Sequence, residues 1–294
     1  MVIRKDRIKL SFLVLLFALL TPVSLPAFSL KNYSSVYFSY INYDGSRIKK
    51  NGRAFTLYGF LEDGLSRHMF EYSLMQYKID YKGGLDDLDQ TDLTLAYTNM
   101  GSLLKNLYLR VGLHYIWSDD PITRRGKTYF ADVSYVVLGS HNFGLEGDYS
   151  RYNNLFDLDV FQLSPHGGFF FDALGRSFYV ELRGYYIHLD YINFHKLSIK
   201  DYYSAELSLS HRLWKDFVVK VSGWVGQQIF AVKRWGFVVY NLPEVYKGGV
   251  SLETSYSYRR IKAGVEFSWN SYEELMTRSD VNQYVVNIFV GFRF

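Results

Sequence analysis

The chain holds 294 residues, enough for one large domain or two small ones, with 33 Lys+Arg against 29 Asp+Glu and a formal charge of +4. It has no cysteine, which excludes disulfides, thiolate metal sites, cysteine nucleophiles and lipid attachment through an N-terminal Cys. Its 27 Tyr and 23 Phe against 5 Pro suit strands, which favour β-branched and aromatic residues.

The first 29 residues read as a separate object. Arg4, Lys5, Arg7 and Lys9 precede the apolar run "LSFLVLLFALL"; helix-breaking Pro22 and Pro26 follow, and "AFS" (Ala27 to Ser29) offers small residues for cleavage. The run of about 11 apolar residues is short for a spanning helix, which needs roughly 20, so a cleaved export signal is expected. Its removal leaves residues 30–294. The signal holds four of the bases and one of the acids, so the remainder carries 29 against 28, a net of +1. The basicity belongs mostly to the address label. No concentrated basic face of the kind nucleic acid requires is present.

Beyond the signal no run of 18 or more apolar residues appears; what recurs is alternation with period two. The pattern predicts strands near 33–43, 53–62, 68–81, 90–99, 105–117, 127–138, 142–152, 155–163, 176–191, 201–213, 216–226, 247–258, 260–271 and 282–294. In "LYLRVGLHYIW", Leu107, Leu109, Val111, Leu113, Tyr115 and Trp117 share one face, while Tyr108, Arg110, Gly112, His114 and Ile116 share the other. Phase slips near Leu74–Met75 and Gly184–Tyr185 suggest either β-bulges or misplaced strand boundaries. Almost every stretch is used by a strand, so a single domain is expected.

A soluble sandwich would show the same alternation. These strands are long for a soluble fold, however, and aromatics crowd their ends (Tyr40 and Tyr43, Tyr77 and Tyr81, Tyr115 and Trp117, Trp269), as in the girdles of a transmembrane barrel. Loop character sets the register. "YDGSRIKKNGR", "KGGLDDLDQ", "SDDPITRRGK" and "NSYEELMTRSD" read as outer loops, and "LGSHN", "RLWKD" and "YSYRR" as inner turns. Two segments fit less well. "SPHGGFFFDALGR" is long for an inner turn, and residues 226–248 make an oddly apolar outer loop, either a strand extension or a loop folded into the lumen.

The chain ends in "QYVVNIFVGFRF", with Phe294, Phe292, Val290, Ile288 and Tyr284 on one face. This terminal strand resembles the C-terminal assembly signature of bacterial outer-membrane β-barrels, and with the signal and the alternating segments the resemblance covers the whole mature chain. It implies an all-β, transmembrane antiparallel up-and-down β-barrel, most simply of 14 strands, with 12 or 16 as alternatives. It also implies insertion by the barrel-assembly machinery of a Gram-negative-type envelope, among outer-membrane lipid and lipopolysaccharide. A monomer is favoured over a trimer, because no strand is more apolar than the rest on both faces.

Fourteen strands fall between side-chain-filled barrels and open channels. Inward projection gives the acids Asp132, Glu146, Asp148, Glu181, Glu206, Glu253 and Glu266 and the bases Arg110, Arg183, Arg212, Lys220 and Arg293, with His114 beside them. Both signs inside predict a wet lumen with a transverse field, hence a porin-like channel for small polar solutes or ions, mildly cation-preferring. The rivals are a closed structural or binding barrel and a barrel-embedded lipid hydrolase. No His is followed two residues on by Ser, so a nucleophilic site would have to use His188 with Asp190, which share a face. The acidic loop around Asp86, Asp87, Asp89 and Asp92 is a candidate cation site, although its spacing matches no calcium-loop pattern. No cofactor is implied.

Overall fold

The computed structural model describes residues 30–152, 157–173, 175–191, 199–214 and 216–294; the predicted export signal lies outside the described residues. The strands are β1 (Leu30–Asp44), β2 (Lys49–Asp63), β3 (His68–Tyr81), β4 (Leu88–Met100), β5 (Leu107–Ser118), β6 (Lys127–Val137), β7 (His141–Tyr152) and β8 (Leu158–Ala173). There follow β9 (Arg176–Tyr191), β10 (Asp201–Trp214), β11 (Phe217–Gln228), β12 (Val232–Lys233), β13 (Val238–Val239), β14 (Glu244–Tyr258), β15 (Ile261–Glu274) and β16 (Ser279–Arg293). All but β12 and β13 form one closed antiparallel barrel of fourteen strands, and those two form a separate small hairpin. The strand count and all-β architecture agree with the sequence.

Closure is made by β1 against β16, from Tyr33 opposite Arg293 to Asp44 opposite Asn282. That pairing explains the apolar C-terminus. Phe292, Val290, Ile288, Val286 and Tyr284 form the barrel's exposed outer face, while Arg293, Gly291, Phe289, Asn287 and Val285 take the inward phase. With the last strand paired to the first, no free edge is left to recruit another chain.

Three sequence expectations need correction. Strand β8 does not stop at residue 163 but runs to Ala173, so "SPHGGFFFDA" is strand rather than turn. Pro165 has no N–H to give the ladder, and pairing to β9 skips from Leu163–Tyr186 to His166–Arg183 without losing register. Nor are there bulges at Leu74–Met75 or Gly184–Tyr185, where register is unbroken on both sides. Apolar side chains occupy both faces there, Met75 inward against Leu74 outward, and this blurs the alternation. The irregularities lie instead at Lys49/Asn51, Arg212/Trp214, Val225/Gln228 and Tyr246/Gly248.

Leu30 and Phe294 lie at one end of the barrel with connections of two to six residues, the turn end; the connections at the other, the loop end, run from four to fifteen residues. Two apolar clusters lie across the loop end. One joins Ile116, Tyr152, Leu158, Ile187 and Leu189 of the wall to Ile229, Phe230 and Ala231, and the other gathers Ile41, Tyr43, Ile79, Tyr246 and Tyr272. Tyr240 packs on both.

Candidate functional site

Residues 229–243, between β11 and β14, fold into the lumen. Ile229, Phe230 and Ala231 are fully buried, which answers why this connection is so apolar. The small hairpin β12–β13 then carries the chain down and back, closed by Tyr240 N–H to the Ala231 carbonyl at 2.8 Å. Its tip bends through positive φ at Arg234 (52°), Trp235 (60°) and Gly236 (85°). Such angles cost a side-chain-bearing residue about 1–2 kcal/mol each, so they persist only where the surroundings hold them.

The wall holds this segment at several points. Gln162 of β8 makes a reciprocal pair with Val232, accepting its N–H at 2.9 Å and donating to its carbonyl at 2.7 Å. Asn241 donates to Gln90 at 2.7 Å and Thr123 at 3.2 Å. Lys233 pairs with Glu206 at 2.9 Å, and Arg234 pairs with Glu266. The Trp235 ring faces the Arg183 guanidinium at 4.0 Å and meets His166 edge-on at 4.7 Å. Gly236 sits on Phe130, and Gly112 of β5 on the same ring. A Cβ at Gly236 would come within 2.2 Å of the ring and one at Gly112 within 2.1 Å, so both positions require glycine.

All the inward charges named from sequence share the pleat phase of the residues that line the lumen. Arg110 binds Glu71 and Thr98, and its guanidinium lies 5.4 Å from the Phe237 ring. Glu146 binds Arg183, which also reaches Glu181 at 3.8 Å. Asp132 contacts His166 at 2.8 Å, Asp148 takes Gln162 at 2.9 Å, and His114 bonds Thr94 at 2.8 Å. Lys220 and Glu253 are directly cross-strand, and among the described residues neither makes an ion pair. Arg212 is exposed near the turn end, as is Arg293. Sequence reasoning missed Glu71 and His166 and placed Asp92 in the acidic loop, whereas it is buried beside Gln90. It also missed Lys233, Arg234 and Trp235, because a folded-in loop has no strand periodicity. The basic-aromatic run "VKRWGF" inside an apolar loop was the available signal. Lys233 and Arg234 each pair with one of the seven inward acids named from sequence.

The segment leaves open space on two sides. A cavity of about 500 Å³ lies against β1–β3 and β14–β16, reaching from Arg110 and Glu266 up to Tyr43 and Tyr246. A second, of about 330 Å³, lies against β9–β11, β14 and β15, with Glu181, Glu206, Lys220 and Glu253 on its walls. They share Arg234, Trp235 and Tyr240, so the inserted hairpin is the partition between them.

The residues weighed for catalysis and metal binding are arranged differently from expectation. His188 and Asp190 share the outward face but do not pair. His188 binds Asp201 at 2.8 Å, and Asp190 lies 3.5 Å from Lys200. The lumen does contain Ser134, His166 and Asp132 together. There hydroxyl and carboxylate both approach Nε2, at 3.4 and 2.8 Å, while Nδ1 is buried without a partner. A nucleophile relay needs the two on opposite ring nitrogens, so this trio is not one. The acidic loop does not converge: Asp87 accepts from Lys78 at 3.0 Å and from the Tyr81 N–H at 3.1 Å, whereas Asp92 is buried inside the barrel beside Gln90. The Lys78 bond holds the Asp87 carboxyl below its usual range. Among the described residues no group of three or more His, Asp or Glu side chains is arranged to hold a metal ion.

No family model matches the chain, and no curated protein does. Solved structures do. A bacterial polysaccharide outer-membrane secretin is similar over 89% of this chain and 98% of its own, at 12% identity and a TM-score of 0.54. The toluene transporter TodX of Pseudomonas putida is similar over 94% and 90%, at 7% identity and a TM-score of 0.52. A Pseudomonas aeruginosa FadL homologue is similar over 90% of each chain, at 8% identity and a TM-score of 0.50. The chain therefore has the fold of bacterial outer-membrane β-barrels.

Proposed function

We propose that this chain is an outer-membrane channel for small solutes whose lumen is gated by residues 229–243. The observation that carries the reading is the pair of adjoining cavities, about 500 and 330 Å³, separated only by that inserted segment within a closed fourteen-strand barrel. One of the structural neighbours, TodX, is a transporter, which supports a channel role in general terms without naming a solute. The loop end faces outward, as short-turn ends of such barrels face the periplasm. The apolar layer at that end keeps the resting lumen shut, and passage requires the hairpin to lift from Gln162, Glu206 and Glu266.

A second reading, a permanently closed barrel acting as a structural or binding surface, draws on the same apolar layer. Solute release from vesicles separates the two. Proteoliposomes carrying the refolded mature chain should release trapped small polar solutes faster than protein-free vesicles. Arg234→Ala, which frees the tip from Glu266, should speed release further. Release equal to that of protein-free vesicles for both proteins would remove the channel reading and leave the closed barrel.

A further inference from the structure

We infer that the larger cavity is a binding site for an uncharged, single-ring aromatic molecule carrying one or two hydroxyls, the phenol class. This deepens the channel reading and rests on it. Charge comes first. Each charged side chain lining this cavity is already matched: Glu71 by Arg110, Glu266 by Arg234, and Glu244 by Lys49. An ionic solute would lose its hydration there and find no unspent counter-charge, which is unfavourable in a low-dielectric site. The smaller cavity is the opposite case, with Lys220 and Glu253 both unpaired among the described residues. The hairpin thus separates a neutral chamber from a charged one.

Shape and polarity narrow the class. Tyr37, Tyr58, Phe237, Ile41, Met75 and Val239 give the chamber mostly carbon walls, and its volume lies within the ~300–1,000 Å³ of small-molecule sites. The rings are not free to collapse into the space: Tyr37 is stacked on Phe289 at 5.0 Å, and Tyr58 is edge-on to Phe237 at 5.4 Å. Aromatic walls of this kind favour an aromatic guest by offset or edge-to-face packing.

The exposed lining is mostly carbon, with polar groups set among it. The hydroxyls of Ser39, Thr56, Ser73 and Ser268 line the chamber and have no side-chain partner among the described residues. These groups satisfy one or two ligand hydroxyls. A sugar, hydroxylated all round, would press several of its hydroxyls against ring and aliphatic carbon, at about 1–3 kcal/mol each. A plain hydrocarbon would leave those four hydroxyls unbonded, so the hydroxylated ring is the better match.

The test is equilibrium binding to the refolded mature chain in detergent by calorimetry, with p-cresol as probe and glucose and glycine as comparisons. Binding does not require conduction, so a closed barrel that binds and a conducting barrel that does not are told apart. Saturable p-cresol binding is expected, weakened at least about tenfold by Ser39→Phe, which fills the chamber, and unchanged by Ser222→Phe, which fills only the smaller cavity. Thr56→Phe fills the chamber from the neighbouring strand and replaces Ser39→Phe if that variant lacks the heat-modifiable migration of a folded barrel. Glucose or glycine binding as tightly as p-cresol would overturn the assignment. So would p-cresol uptake that does not saturate, or that is the same in the filled and unfilled chambers.

Discussion

Gly236→Val should drive the inserted hairpin off the wall without touching the barrel. At φ of +85° a valine is strained by about 1–2 kcal/mol, and its Cβ would start 2.2 Å from Cε1 of Phe130. Phe130 has no retreat, because Gly112 backs the same ring at 2.1 Å from a notional Cβ. Overpacking of this kind costs about 1–3 kcal/mol more. In a lifted hairpin the valine relaxes to negative φ and meets nothing, so the whole ~2–5 kcal/mol falls on the seated state. At 1.4 kcal/mol per decade that is about a 30-fold shift toward the lifted state at the low end. Lys233 and Arg234 are held inside by Glu206 and Glu266, so limited trypsin digestion reads the change. Fragments ending at Lys233 or Arg234 should appear about 30-fold faster or more in the variant, while the heat-modifiable shift persists. Equal rates at those two bonds would refute the argument that the tip is fixed by this glycine contact.

Lys49 is almost fully buried at the loop end between Glu244 and Glu274, and Ser46 donates to Glu274 at 2.6 Å. Lys49→Met leaves both carboxylates without their cation and should destabilise the loop end by about 3–5 kcal/mol; Glu244→Gln in addition should restore part of the loss, both read from the temperature at which the heat-modifiable shift disappears. Outside the membrane, the depressed Asp87 carboxyl stabilises the 82–87 loop above the usual aspartate range, and that contribution is lost as pH falls through its lowered value. The protection factor of the Tyr81 amide, whose N–H donates to Asp87, should therefore hold through the ordinary aspartate range and fall only in stronger acid. Asp87→Asn should remove the pH dependence.

The barrel was legible because the pleat makes alternation visible. Once Leu107 to Trp117 faced lipid, Arg110 and His114 had to face inward, and the same phase placed every charge from Asp132 to Glu266. What alternation does not carry is the chemistry between strands far apart in sequence. Glu71 and Arg110 meet, but nothing in either strand announces the other. His166 was hidden because "SPHGG" reads as turn, when the strand in fact continues past a proline that forgoes its hydrogen bonds. The inserted segment was legible only as an anomaly. Its apolar residues mark burial and its Lys233–Arg234–Trp235 tip marks polar partners, yet the depth it reaches follows from positive φ values and from Gly236 against Phe130, which no periodicity encodes. The His188–Asp190 pair shows the converse error, where a shared face was correct but Asp201, on the neighbouring strand, holds the imidazole.

The most direct test is single-channel recording in planar bilayers of refolded residues 30–294 beside a variant in which residues 231–240 are replaced by a short Gly-Ser turn. If the segment gates the lumen, the native chain gives brief, infrequent openings and the shortened chain gives persistent ones of larger conductance. Identical currents from the two would contradict gating by residues 229–243, and silence from both folded proteins would contradict a solute path through this barrel.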